Sequence, residues 1–246
     1  MKFALAQMEV VPGNPDVNTD KMVELIEIAQ DQGVEVIAFP EMCVGGYLIG
    51  DRWLDPEVCR DFMSYNEKIR EASENLCVIF GNVFIAQSNN GIDENEDPND
   101  PSAWHPNKDG RIRKYNAAYA YQNKKPVLRV EAVPHLPQGV QPKTLLPNYR
   151  IFDDERYFFS LENVAKDYGI PLERMYQPFV IPTSEGELRF GLEICEDLWV
   201  ADYRKDLKPI NPSKYLIENG AECIINISAS PWTYRKNDAR DRRVEF

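Results

Sequence analysis

A carboxylate, a thiol and an amine stand at three places in this sequence where each could take part in covalent chemistry. Glu41 follows the apolar run VEVIAFP and precedes MCVGGY. A carboxyl group at the mouth of a buried strand is costly to desolvate unless it is hydrogen-bonded, and held that way it can accept a proton. From position alone the alternative is a strand-end Glu facing solvent. Cys195 stands between ELRFGLEI and EDLW. Its sulfur attacks carbon centres well once a base has removed the proton. The alternative is a small buried hydrophobe, the reading that suits Cys77 and Cys223 inside apolar strands. Cys43, which also follows a strand and has Gly45 and Gly46 nearby, competes with Cys195. Lys143 lies in PKTLLPNY, where Pro142 and Pro147 restrict the backbone, and a lysine held so rigidly can stabilise a developing oxyanion. Most lysines are instead solvated surface charges. His135 is available as the base of a Cys/His pair, but the chain has only two histidines, the other being His105 in an acidic stretch, which disfavours that arrangement.

These residues have to be delivered by strand ends, where open α/β sheets place their ligands. Phe3 to Val10 is β-like, and after the turn PGNPD the segment NTDKMVELIEIAQDQG repeats Met22, Leu25, Ile26 and Ala29 at helical spacing before Gly33. Residues 34–40 form the short continuous apolar run of a strand covered on both faces. A helix is expected from about Glu57 to Ser73, with strands at Cys77–Phe84 and Tyr115–Tyr121. Another helix is expected at Leu161–Tyr168. FVIPTSEGELRFGLEIC reads as two strands joined at Glu185 and Gly186. Ser213–Asn219 reads as a helix stopped by Gly220, and Ala221–Ser228 as a strand. Alternating strands and helices predict an α/β fold, and strands joined by tight turns predict mixed sheets.

Lys and Arg number 28 against 40 Asp and Glu, a formal charge of −12. A nucleic-acid partner needs clustered cations, so that class is excluded. Five dispersed cysteines and two histidines offer no structural zinc site. The start MKFALAQMEVV interrupts its apolar run with Gln7 and Glu9, which fits neither a secretory core nor a membrane span. The expectation is a cytoplasmic chain with reduced thiols. Residues 87–110 are rich in Asp, Asn and Pro and nearly free of aliphatics, the composition of an exposed insertion. Residues 237–246, NDARDRRVEF, read as the opening turns of a charged helix.

FPEM at Glu41, KTLLPNY at Lys143 and GLEICEDLW at Cys195 together resemble the nitrilase, or carbon-nitrogen hydrolase, superfamily, whose triad is Glu, Lys and Cys in this order. KTLLPNYRIFDDERYF, ICEDLW and NISASP look further like the glutamine amidotransferase domain of glutamine-dependent NAD synthetases. The resemblance implies a four-layer α-β-β-α sandwich over residues 1–246, cut short at its C-terminal end, with 87–110 as an insertion. It implies Glu41 as proton carrier, Cys195 as nucleophile and Lys143 as oxyanion partner. Tyr149, Glu196, Ser228 and Ser230 are implied as glutamine-binding residues, with Glu196 suited to the α-ammonium group and Arg235 to the α-carboxylate. A second carboxylate after the lysine is either Asp154 or Glu155. No cofactor or metal is implied for this domain; ATP and Mg belong to a synthetase domain whose SGGxDS signature is absent here. The implied partners are glutamine, that synthetase domain in a longer chain, and further copies in a homo-oligomer.

Overall fold

The computed structural model describes residues 1–86, 111–200, 204–205, 208–231, 233–234 and 236–244. The expected insertion at 87–110 and Arg235 lie outside the described residues. Asn14 accepts the Val17 N–H and Pro15 occupies the first turn, so α1 (Pro15–Asp31) starts earlier than the apolar spacing alone marks. It links β1 (Phe3–Leu5) to β2 (Val36–Ala38). The expected helix over 57–73 is two helices, α2 (Pro56–Ser64) and α3 (Asn66–Ala72), parted at Tyr65. They lead into β3 (Cys77–Ile85). After it come β4 (Lys114–Gln122), β5 (Lys125–Pro126) and β6 (Val140–Pro142), then α4 (Asp154–Tyr157) and α5 (Leu161–Tyr168). The chain continues through β7 (Phe179–Thr183), β8 (Gly186–Ile194), β9 (Arg204–Lys205) and β10 (Lys208–Pro209). It closes with α6 (Pro212–Glu218), β11 (Cys223–Ile227) and α7 (Lys236–Val244).

The first sheet runs β1-β2-β3-β4-β5, with β6 also paired to β4. The pairs β1/β2 and β2/β3 are parallel, and β3/β4 is an antiparallel ladder from Cys77↔Gln122 to Ile85↔Lys114. The second sheet runs β11-β8-β7, parallel between β11 and β8 and antiparallel between β8 and β7. Both sheets are therefore mixed, as the tight turns between neighbouring strands require.

Side-chain alternation then fixes four layers. Ile37, Phe39, Val78 and Phe80 pack under Met22 and Ile26 of α1 and Ile69 of α3. Val36, Ala38, Cys77 and Ile79 face the other way, against Phe179, Phe190, Leu192 and Ile194 of the second sheet. The outer face of that sheet is covered by α6, whose Leu216 approaches Gly191 so closely that a Cβ there would lie 2.6 Å from Leu216 Cδ1. The order is helix, sheet, sheet, helix, the sandwich the resemblance implied. α7, the charged helix expected at 237–246, begins at Lys236 and has no buried residue.

Candidate active site

The ends of β2, β6, β8 and β11 converge, and each delivers one part of a buried polar cluster. Past β2 the chain turns sharply at Met42, whose φ of +50° is a left-handed conformation unusual for a side-chain-bearing residue. This turn lays Glu41 over β3 at a position where only glycine fits. A Cβ on Gly81 would come within 2.4 Å of Met42 N and 2.6 Å of Glu41 Cα. Both atoms belong to backbone, so neither can swing aside. Gly81→Ala should cost about 1–3 kcal/mol in stability by overpacking, read as a lower denaturation midpoint, and should displace Glu41 and depress turnover with it.

Glu41 is 1% exposed and both of its carboxylate oxygens are hydrogen-bonded, Oε2 by a single donor. Oε1 accepts the Lys143 ammonium at 2.8 Å and Asn116 Nδ2 at 2.8 Å, and Oε2 accepts the Ala229 N–H at 2.9 Å. The desolvation that makes a lone Glu costly here is thereby offset. Lys143 is 0% exposed and immediately follows β6, so it extends from a strand end rather than from a free loop. Its Nζ reaches Asp154 Oδ2 at 2.9 Å as well as Glu41. Burial opposes the lysine's charge, but Glu41 and Asp154 outweigh it and hold the pKa well above its ordinary value. Asp154 also accepts the Tyr47 hydroxyl, and burial raises its pKa while Lys143 opposes the rise. Of the two carboxylates the sequence left open, Asp154 stands on the lysine. Glu155 is exposed and accepts Asn148 Nδ2 at 3.3 Å.

Cys195 immediately follows β8, at φ +44°, and is 4% exposed. Its Sγ lies 3.1 Å from Ser230 Oγ, in the loop after β11. Burial pushes the thiol up to about 12 and Glu41 adds to the rise, while Lys143 and Ser230 pull it down. The resting group is a thiol whose proton must be removed as it attacks, with a carboxylate in its electrostatic field to remove it. Cys43 is fully buried and directs its Sγ toward Met22 Sδ and the Gly81 carbonyl, in the helix-covered layer. Cys77 is buried between the sheets, while Cys223 in β11 is half-buried. His135 stacks on Tyr168 with ring centroids 3.4 Å apart and makes no described contact with a cysteine.

A cavity of about 840 Å³ opens beside the thiol, lined among others by Tyr149, Arg150, Glu196, Trp199, Ser230 and Lys236. Tyr149 donates its hydroxyl to Glu196 Oε2 at 2.9 Å. Ser228 does not line the cavity, because its hydroxyl donates to Asn226 Oδ1 at 2.8 Å. Asn116 and Asp197 were not singled out in the sequence. Asn116 lies on β4 among alanines and tyrosines, 75 positions from the glutamate it holds, and no local pattern marks it. Among the described residues no group of three or more His, Cys, Asp or Glu could hold a metal ion, and no helix is long and apolar enough to cross a membrane.

The carbon-nitrogen hydrolase family profile matches residues 2–235. The glutamine-dependent NAD(+) synthetase of Thermotoga maritima is 27% identical over 233 residues, 94% of this chain and 30% of that protein. The solved glutamine-dependent NAD+ synthetase of Acinetobacter baumannii, in complex with ADP, superposes with a TM-score of 0.66 at 25% identity, over 98% of this chain and 35% of that one. An amidase from Nesterenkonia shares the fold, with a TM-score of 0.60 at 15% identity over 96% of this chain and 68% of its own. The chain thus spans about a third of the length of the synthetases it matches.

Proposed function

The chain belongs to the carbon-nitrogen hydrolase family, and we propose that it hydrolyses the side-chain amide of glutamine to glutamate and ammonia, as one domain of a longer NAD synthetase polypeptide. The observation that carries the chemistry is the buried ammonium of Lys143 bridging Glu41 and Asp154 beside the Cys195 thiol.

In the first half-reaction Glu41 takes the Sγ proton while sulfur forms a bond to the amide carbon. The oxygen of the resulting tetrahedral intermediate is stabilised by the Lys143 ammonium and by backbone N–H groups. Glu41 returns the proton to nitrogen as the C–N bond breaks, and ammonia leaves. In the second, Glu41 takes a proton from water, hydroxide adds to the γ-glutamyl thioester, and the C–S bond breaks as sulfur regains a proton. The contacts to Asn116, Lys143 and Ala229 keep the carboxylate in one place through both transfers.

The cavity supports an amino-acid substrate. Glu196 is buried and faces it, a partner for an α-ammonium group, and Arg150 and Lys236 are the described cations at its wall for an α-carboxylate. Glu196→Gln should raise KM for glutamine about 10–100-fold with little change in kcat, because its contact is made equally in ground and transition states. A coupled ammonia assay over glutamine and simple aliphatic amides tests the whole reading. Turnover of glutamine supports it, and turnover of aliphatic amides without glutamine replaces it with a general amidase.

A place in a longer polypeptide is supported by the length of the relatives and by an unfinished surface. β1 is an edge strand whose Phe3 and Leu5 are 41% and 83% exposed on the side facing the second sheet, and β11, the edge of that sheet, leaves Ile225 half-buried. An added strand beside β11 would cover both. The ammonia then serves a synthetase domain, and ATP and Mg are needed there and not at Cys195.

A further inference from the structure

Asp197 is 1% exposed, lies two residues past the nucleophile, and takes no part in the proton transfers above. Its Oδ1 accepts the N–H groups of Thr144 at 3.0 Å and Leu145 at 2.7 Å, and its Oδ2 accepts the Ile194 N–H at 3.2 Å. The first two donors are the residues that follow Lys143, and the third is the residue that precedes Cys195. Among the described residues no ion pair to it occurs; burial pushes its carboxyl up to about 7, and the Leu145 and Ile194 amides and the Lys143 charge hold that rise back.

The two segments it joins come from different sheets. Lys143 leaves β6 of the first sheet, and Cys195 leaves β8 of the second. The remaining described hydrogen bond between these loops is the half-exposed one from Tyr149 to Glu196. Cys195 also stands at φ +44°, a conformation that an L residue keeps only when its surroundings enforce it. The Ile194 amide, held by Oδ2, is the last fixed point before that turn.

We infer that Asp197 is a positioning residue whose carboxylate ties the segment bearing the Lys143 ammonium to the turn bearing the Cys195 thiol, and so sets where the sulfur stands relative to the cation. That this placement serves an oxyanion rests on the glutaminase reading; the placement itself does not. The tie acts on the thiol because Lys143 is one of the groups that lower the Cys195 pKa. If the two segments drift apart, the thiol loses that help and reacts more slowly with any electrophile.

Asp197→Asn keeps the shape but has one carbonyl oxygen, so at least one of the three amides meets an NH2 group instead of an acceptor. The test measures three quantities on the folded variant: the melting temperature, the rate of iodoacetamide alkylation at Cys195 followed by mass spectrometry, and kcat and KM for glutamine. The expected result is alkylation and kcat each slowed about tenfold or more with KM within about threefold of the parent; a loss of stability alone lowers the apparent kcat but exposes the buried thiol and speeds its alkylation. Parent-like alkylation and kcat, whatever the melting temperature, overturn the proposal. Should Asp197→Asn not fold, Asp197→Glu keeps the charge and shifts the acceptors by one methylene, and slowed or parent-like alkylation decides in the same way. If the parent does not hydrolyse glutamine but the variant's Cys195 is still alkylated more slowly, the positioning role stands and the glutaminase reading falls.

Discussion

Cys195→Ala should lower the proposed glutamine hydrolysis by about 10⁵-fold, to the level of background ammonia release, while the melting temperature moves by only a few degrees. The size follows from the proposed mechanism, in which the thiol forms the covalent bond and no second cysteine can take its place. Cys43 points into the layer under α1 and Cys77 lies between the sheets, so neither reaches the cavity. The small effect on stability follows because Cys→Ala at a 4% exposed site removes one sulfur atom and leaves the backbone turn as it was. Ammonia release and a thermal melt on the same preparation check both halves.

Lys143→Met has the second largest effect, and here activity and stability fall together. Loss of a pre-organised cation at the oxyanion costs roughly 10²–10³-fold in kcat. The fold also loses the one positive charge between Glu41 and Asp154, and removing one partner from a buried ionic cluster costs about 3–5 kcal/mol. The pH dependence has a definite sign. Burial already raises the Asp154 carboxyl, and without the lysine its folded pKa rises further above the unfolded value. Such a group destabilises the fold when ionised, and the penalty fades as pH falls and the folded state takes up a proton. Relative to the parent, the variant is therefore least stable in alkaline solution and recovers as the pH falls towards the ordinary carboxylate range. Denaturant midpoints across that range measure it.

The strand ends that carry Glu41 and Cys195 were legible because buried strands write themselves as continuous apolar runs, and VEVIAFP and FGLEI are such runs. α5 lies where helical spacing placed it, around Leu161 to Tyr168, and in the structure Ser160 caps it and Gly169, at φ +64°, stops it. Lys143 was placed on a proline-pinned loop because VQP is too short to show a period, and its strand character arises from pairing with β4. The break at Tyr65 was hidden for a related reason: apolar spacing continues from α2 into α3. Asn116, Asp154 and Asp197 act through partners 75, 11 and 53 positions away, and a contact of that kind is created by the tertiary packing of elements that end at the site rather than by any local pattern. Ser228 lies in the loop after β11, with its hydroxyl turned to Asn226.

The claim on which the account depends is that Cys195 is the sulfur that attacks the substrate carbon. A diazo or chloroketone analogue of glutamine, incubated with the folded protein and followed by peptide mass spectrometry, reads this directly. A single adduct on the peptide carrying Cys195, slowed by excess glutamine, is the predicted result. An adduct on Cys43 with Cys195 unmodified contradicts it.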